Sequence, residues 1–331
     1  MSIKVDFKND LVKFYNLKVK KIVELSGGWL NEKFLIIDTS DKNYVLKELS
    51  DIKFPKDYLN VLHNTVELQS KLYEEKILVP KVVKNCNNEL ISIFVNGKSY
   101  FLQDYIQGDV KENNEITAFE IRDIAKNLAM LHKCLRNQSN KMFESSFLSY
   151  KTIDILSSEL NNRISQINYN TPTEYKNELN LHYNIINDIK KTNILNKHEV
   201  QLIHGDFTPD NIILFDFKVS AIIDFELCRI NTKLQDIGRF ILSTCFSTNF
   251  FDRIKLKEFI CGYSLVDKIN IDDIITAIKF VWINEVNLWI QERYFRNQNS
   301  AKVNRFIYEI QWISNNWFDL ESIIRKVVAD E

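Results

Sequence analysis

From residue 20 to residue 49, apolar and polar positions alternate in short bursts parted by turn residues. Lys20–Leu25 alternates loosely and Ser26-Gly27-Gly28 interrupts it. Lys33–Asp38 then resumes with Phe34, Ile36 and Ile37, and Ser40-Asp41-Lys42-Asn43 turns the chain into Tyr44-Val45-Leu46-Lys47. That rhythm predicts an antiparallel meander of three strands. Pro55 precedes a stretch, Asp57–Glu74, in which Leu59, Leu62, Val66 and Tyr73 share one helical face. Two further strands are expected at Leu90–Val95 and Lys98–Tyr105, joined by Asn96-Gly97, two residues that both accept positive φ. The first hundred residues therefore read as a five-stranded sheet carrying one helix.

Beyond Gly108 the period lengthens from two to between three and four. Thr117-Ala118-Phe119-Glu120 is a capping box that opens a helix with Ile121, Ile124, Leu128 and Leu131 on one stripe. Residues 151–192 predict two more helices, parted by Asn168-Tyr169-Asn170-Thr171-Pro172, and 200–224 predicts strand, loop and strand. The remainder, 234–328, is helical, with a long periodic stretch from Ile271 to Arg296. The fold class is α+β, with a small β-rich N-terminal lobe over 1–106 and a large, mainly helical C-terminal lobe over 107–331, joined near Ile106-Gln107-Gly108.

Composition narrows the function classes. The chain of 331 residues carries 26% charged and 45% hydrophobic residues with a net charge of -1, so no global basic field points to nucleic acid or an anionic membrane. No run of some twenty apolar residues predicts a bilayer-spanning helix, and the first residues have no apolar leader, so a cytoplasmic location is expected. The cysteines Cys86, Cys134, Cys228, Cys245 and Cys261 are scattered without a CxxC pair, the usage of reduced thiols. Nothing in the chain predicts its oligomeric state.

The chemistry is concentrated in Leu202-Ile203-His204-Gly205-Asp206-Phe207-Thr208-Pro209-Asp210-Asn211-Ile212-Ile213-Leu214, followed by Val219-Ser220-Ala221-Ile222-Ile223-Asp224-Phe225-Glu226. Asp206, Asn211 and Asp224 stand between apolar runs that read as buried strands. A carboxylate there is expensive unless a charge or a metal pairs it. Phosphoryl transfer supplies that need: one carboxylate orients the attacking hydroxyl, while an amide oxygen and a second carboxylate hold Mg²⁺ on the phosphates. An Asx-rich turn between two strands is the alternative, and it leaves the upstream residues below unexplained.

His-Gly-Asp-x-x-x-x-Asn followed by Ile-Asp-Phe resembles the catalytic loop and metal-binding segment of the aminoglycoside phosphotransferase and choline kinase superfamily. That superfamily includes type II homoserine kinases, methylthioribose kinases and spore-coat kinase-like proteins. The resemblance spans roughly residues 20–295 and implies a protein-kinase-like two-lobed fold. It implies Asp206 as catalytic base, Asn211 and Asp224 as Mg²⁺ ligands, and His204 as a support of the loop. Gly205 and Phe225-Glu226 depart from the protein-kinase pattern, which favours the small-molecule branch. Lys47, at the end of its strand, is similar to the ATP-binding lysine, and Glu67 lies on the helix where that lysine's partner is expected. Ser26, Gly27 and Gly28 resemble a phosphate-covering turn. Gln103 and Tyr105 fall where the backbone would meet the nucleotide base. Asp236, in Gln235-Asp236-Ile237-Gly238-Arg239, resembles a helix start of the superfamily and reads as a cap or loop anchor before a catalytic group.

The acceptor is less legible. Trp282, Glu285, Trp289 and Glu292 lie along one helical face. They suit either an aromatic core seam with solvated carboxylates or a site for a cationic substrate. Glu226 is a candidate acceptor contact, or else a buried partner of Arg229 or Arg239. The leading expectation is a kinase that uses ATP and Mg²⁺ to phosphorylate a hydroxyl of a small amino alcohol, amino acid, aminoglycoside or sugar. The alternatives are a spore-coat kinase-like protein with an assembly role and a kinase acting on protein side chains.

Overall fold

The computed structural model describes residues 7–25, 32–50, 58–138, 143 and 150–329. The chain divides into two compact units. One comprises Met1–Lys111, Ser139–Leu148 and Asn211–Cys228, the other Glu112–Gln138, Ser149–Asp210 and Arg229–Glu331.

The first unit opens with helix α1 (Lys8–Tyr15), continues through strands β1 (Val19–Glu24), β2 (Lys33–Asp38) and β3 (Asn43–Leu49), and enters helix α2 (Leu59–Glu74). Strands β4 (Val82–Val83), β5 (Ser92–Ile93) and β6 (Ser99–Asp104) follow. The sheet is six-stranded, in the order β1-β2-β3-β6-β4 with β5 also paired to β6. The expected meander is its first half. The count differs because β4, only two residues long, is too short to show an alternation, and α1 has too few turns to show a stripe; the strand expected over Leu90–Val95 is present as the shorter β5. Of the hairpin residues Asn96-Gly97, only Gly97 takes positive φ, at 77°.

Side chains alternate across β3 and its neighbours, and this positions the chemistry. One face presents Ile36, Tyr44, Leu46, Tyr100 and Leu102 to a core completed by Phe7, Leu11 and Phe94. Phe94 stacks on Tyr100 at 4.5 Å between ring centroids. Each fully buried aliphatic side chain here contributes roughly 1.5–3 kcal/mol. The opposite face carries Lys33, paired in register with Lys47, and Phe101, the register partner of Lys47 on β6.

The second unit is built on helices α3 (Ala118–Leu135), α4 (Ile153–Ser165) and α5 (Thr173–Thr192). The capping box is present: the Thr117 hydroxyl accepts from the Glu120 N–H, and the Glu120 side chain accepts from the Thr117 N–H. Residues 201–231 then form four short strands, β7 (Gln201–Ile203), β8 (Ile212–Phe215), β9 (Lys218–Ile222) and β10 (Arg229–Asn231). β7 pairs with β10 in the second unit, whereas β8 pairs with β9 in the first. Helices α6 (Leu234–Thr244), α7 (Arg253–Ser264), α8 (Ile271–Trp289), α9 (Ala301–Asn316) and α10 (Leu320–Val328) complete the second unit, with a small hairpin between α6 and α7 at 246–251.

Helix α8 is shorter than its periodicity predicts. Its last carbonyls are taken by side chains: Gln291 Nε2 donates to the carbonyls of Asn287 and Leu288, and Arg163 donates to that of Ile290. The chain then continues as a 3₁₀ turn, Glu292–Phe295. At the α6–α8 crossing, a Cβ on Gly238 would lie 2.2 Å from the Ala277 carbonyl oxygen, so only glycine permits this approach. Among the described residues no helix is long and apolar enough to cross a membrane.

Candidate active site

In the first unit the site grows from the sheet face that bears Lys47. Lys47 sits mid-sheet on β3, held between β2 and β6. Its ammonium is buried and lies 3.0 Å from Asp224 Oδ1 and 2.7 Å from Glu226 Oε1. A buried ammonium is costly unless carboxylates meet it. Burial acts to lower the pKa of Lys47, but Asp224 and Glu226 outweigh it and hold the lysine well above its ordinary value.

The turn that supplies both carboxylates is fixed from several sides. The Ile222 N–H at the end of β9 donates to the Leu78 carbonyl at 2.7 Å, and the Tyr58 hydroxyl donates to the Glu226 carbonyl at 2.7 Å. Asp224 itself is left-handed, with φ 70° and ψ 60°. That conformation is uncommon for a non-glycine residue, although Asp tolerates it better than most. The strain turns the carboxylate onto the lysines. Asp224 Oδ2 receives a second ammonium, that of Lys33, at 2.9 Å. Burial acts to raise the pKa of Asp224, but the two lysines hold its carboxyl well below the usual range. Burial pushes Glu226 up, against the pull of Lys47.

Asn211 stands at the same end of the β8–β9 hairpin as Asp224. Its carbonyl accepts from the Ile223 N–H at 3.0 Å, one step beyond the Ile212–Ile222 pair. Asp224 and Asn211 offer hard oxygen donors, and the two ammoniums on Asp224 show how strongly its carboxylate draws cations. Among the described residues no group of three or more His, Cys, Asp or Glu side chains encloses a metal position. This donor set fits Mg²⁺, which takes one or two carboxylates and completes its shell with phosphate oxygens and water.

The remaining sequence expectations for this unit fare unevenly. Glu67 is exposed on α2, while the lysine's ion-pair partners among the described residues are Asp224 and Glu226. The expected Lys47–Glu67 pair is therefore corrected. Residues 65, 66, 68 and 69 are buried, and Glu67 falls on the turn of helix between them that faces outward. Glu226, expected at the acceptor or beside Arg229 or Arg239, is buried on Lys47 instead. Gln103 is buried, and its side-chain oxygen accepts from Gln69 Nε2 at 2.9 Å. Tyr105 follows β6 with its N–H donating to the Asn43 carbonyl. Ser26, Gly27 and Gly28 lie outside the described residues. Lys33 was missed, because one lysine at the start of a strand carries no signal until its register with Lys47 is known.

In the second unit the loop His204-Gly205-Asp206 leaves β7 and is anchored by a buried carboxylate. Asp236, in the first turn of α6, accepts from the His204 N–H through Oδ2 and from the Gly205 N–H through Oδ1, each at 2.9 Å. Gly205 has φ 83°, a conformation that lets two successive N–H groups reach one carboxylate. His132 Nε2 lies 3.1 Å from Asp236 Oδ2, and its Nδ1 lies 2.9 Å from the Tyr263 hydroxyl. Burial lowers the pKa of His132 despite the carboxylate beside it. Neutral His132 then donates from Nε2 to Asp236 and accepts at Nδ1 from Tyr263. Burial acts to raise Asp236, but His132, His204 and the Gly205 N–H keep it ionised. The Asp206 N–H donates to His204 Nδ1 at 3.3 Å, so His204 supports the loop from within. Asp236 is thus an anchor, as its position at a helix start suggested.

The model of a phosphotransferase enzyme family matches residues 21–259, which takes in Lys33, Lys47, the β8–β9 hairpin, the β7–β10 pair and the Asp236 anchor. The chain belongs to this family. Solved structures agree at the level of fold. An amicoumacin kinase in complex with AMP-PNP and Ca²⁺ is 13% identical, with a TM-score of 0.66 over 94% of this chain and 92% of that one. A spectinomycin phosphotransferase in complex with ADP and spectinomycin is 12% identical, with a TM-score of 0.62 over 97% of each chain. An aminoglycoside 2'-phosphotransferase in complex with GDP is 16% identical, with a TM-score of 0.61 over 93% of this chain and 97% of that one. A comparison with curated proteins found no match. The fold of this phosphotransferase is accordingly the α+β, protein-kinase-like one.

The aromatic and acidic face of α8 in this phosphotransferase is a seam of the second unit. Trp282 is fully buried and donates to the Ser314 hydroxyl at 2.8 Å. Glu285 accepts from Gln235, Arg239 and Trp289, and Arg239 also pairs with the buried Glu309. Trp289 stacks on Phe306 at 4.5 Å, whereas Glu292, expected on the same face, lies beyond the end of α8 on the 3₁₀ turn and pairs with Arg296. The charges on this face are committed to one another.

Proposed function

We propose that this phosphotransferase moves the terminal phosphate of a nucleoside triphosphate, ATP in the first instance, onto a hydroxyl of a small molecule. The observation that carries the reading is the buried Lys47 clamped by Asp224 and Glu226. In this reading that lysine meets phosphate oxygens, and its partner Asp224 takes the cation that accompanies them. Solved relatives whose complexes contain AMP-PNP with Ca²⁺, ADP or GDP support nucleotide use without separating adenine from guanine.

In this reading Mg²⁺ supplies neutralisation of charge across the phosphates, held by Asp224 and Asn211. Lys47 binds the inner phosphates. Asp206 receives the proton of the acceptor hydroxyl, on a loop that Asp236 and His204 hold in place. Gln103 and Tyr105 flank the backbone that meets the base, and Ser26-Gly27-Gly28 covers the phosphates. The acceptor class is an amino alcohol, amino acid, aminoglycoside or sugar, in keeping with the fold shared with an amicoumacin kinase and with a spectinomycin phosphotransferase in complex with spectinomycin.

The test is incubation of the purified protein with Mg²⁺ and labelled ATP or GTP against a panel of those acceptors and a generic protein substrate. Transfer to one small-molecule class is expected. Transfer to protein alone would replace this reading with a protein kinase. Nucleotide-dependent stabilisation without any transfer would favour the spore-coat assembly role. Absence of nucleotide binding would overturn it.

A further inference from the structure

Lys33 opens β2 directly opposite Lys47 on β3. Residues opposite each other in an antiparallel pair project from the same face, and like charges so placed destabilise the sheet. The chain tolerates this pair because Asp224 divides itself between them, with Oδ1 on Lys47 at 3.0 Å and Oδ2 on Lys33 at 2.9 Å. The two lysines are not equivalent. Lys47 also holds Glu226 at 2.7 Å and has 6% of its side chain exposed. Lys33 is 17% exposed, and Asp224 is its ion-pair partner among the described residues.

A divalent cation on Asp224 would bring a third positive group to one carboxylate. One ammonium must then leave. Lys47 keeps a carboxylate if it stays, whereas Lys33 loses its own and has a flexible stem with which to find another anion. The anion at hand would be the polyphosphate that arrives with the metal.

We propose that Lys33 is a second phosphate-binding lysine, which occupies the metal-binding carboxylate in the nucleotide-free protein and passes to the polyphosphate when the metal–nucleotide complex binds. This rests on the nucleotide reading of Lys47 and Asp224 above. It assigns Lys33 two opposite effects. The lysine competes with a metal that comes alone, and it assists a metal that comes with nucleotide.

The experiment measures binding, not turnover. Full-length wild type, Lys33→Met and Lys33→Arg are titrated with Mn²⁺ alone, read by its electron spin resonance, and with Mg²⁺–ATP and Mg²⁺–GTP by calorimetry. Lys33→Met should bind Mn²⁺ several-fold more tightly and the preferred nucleotide about 10- to 100-fold more weakly, the effect of one charge-assisted contact to phosphate. Lys33→Arg, which keeps the charge, should stay within a few-fold of wild type in both, a rescue that separates lost charge from damaged folding. Nucleotide affinity of Lys33→Met within twofold of wild type, or Mn²⁺ affinity unchanged or weaker, would overturn the proposal. Wild type that binds neither nucleotide would overturn the nucleotide reading itself.

Discussion

Replacing Asp236 by Asn preserves its shape and tests whether its charge holds the His204–Asp206 loop. The buried carboxylate accepts three hydrogen bonds: from the N–H groups of His204 and the half-buried Gly205, and from His132 Nε2. An amide has one acceptor oxygen. If that oxygen keeps His204 and His132, its NH₂ is turned against the Gly205 N–H, and two donors face each other in a half-buried site. Leaving one buried N–H unsatisfied costs about 1–3 kcal/mol, and loss of charge assistance weakens the other two bonds by about 1 kcal/mol each. The sum is about 3–5 kcal/mol. For a chain of this length unfolding cooperatively, that lowers Tm by about 4–7 °C. Because Asp206 is two residues from His204, the loop should also lose its set, and kcat should fall about 100-fold, the penalty of a misplaced catalytic group. Nucleotide affinity should hold, since Lys47 and Asp224 are fixed by other contacts. Differential scanning calorimetry, steady-state kinetics on the acceptor found by the panel and nucleotide titration would together check this. A Tm within 1 °C of wild type with kcat preserved would refute the anchor.

Asp206→Ala should leave nucleotide binding within a few-fold of wild type and lower kcat by at least about 100-fold, the scale of general base catalysis. Near-wild-type turnover would remove Asp206 from that role. Stability should also fall with acid in a defined window. His132 and His182 are fully buried, and burial foremost lowers both pKa values against the pull of Asp236 and Glu178. Below the unfolded value of 6.5 the unfolded chain therefore binds protons that the folded chain refuses, and stability drops as pH falls through that value. The slope should approach about 2.7 kcal/mol per pH unit for two protons. Urea midpoints that stay constant from pH 7.5 to 5.5 would contradict it.

Much of this was legible in the residues. The capping box at Thr117 is an address written in local chemistry. So are the short strands on either side of the His204–Asp206 loop and of the Asp224 turn, because apolar runs there are broken by polar residues at fixed spacing. Asp236 was also readable as an anchor from its place at the start of a helix. What escaped was relational. Whether Glu67 or a neighbour faces the lysine depends on the rotation of α2 about its axis, and a stripe as broad as Val61–Leu72 leaves that rotation loose. Lys33 acquires meaning only through strand register. Glu226 was visible as important, but its direction is set by the left-handed backbone at Asp224, which no periodicity reports. β4 is defined by the strand it leans on, not by its own composition.

The hairpin of 211–228 returns to the first unit long after the chain has left it, and this constrains how the protein can be cut. A fragment ending at Lys111 would leave the Leu78 carbonyl and the Asp109 backbone without the strands that satisfy them, at 2.7 Å from Ile222 and at 2.8 and 2.9 Å from Leu214. It would also strand Lys47 in the interior with no counterion. Half-molecules expressed from one stretch of gene should therefore be insoluble. Any transplant of this unit onto another scaffold must splice in discontinuous pieces, the distal hairpin among them.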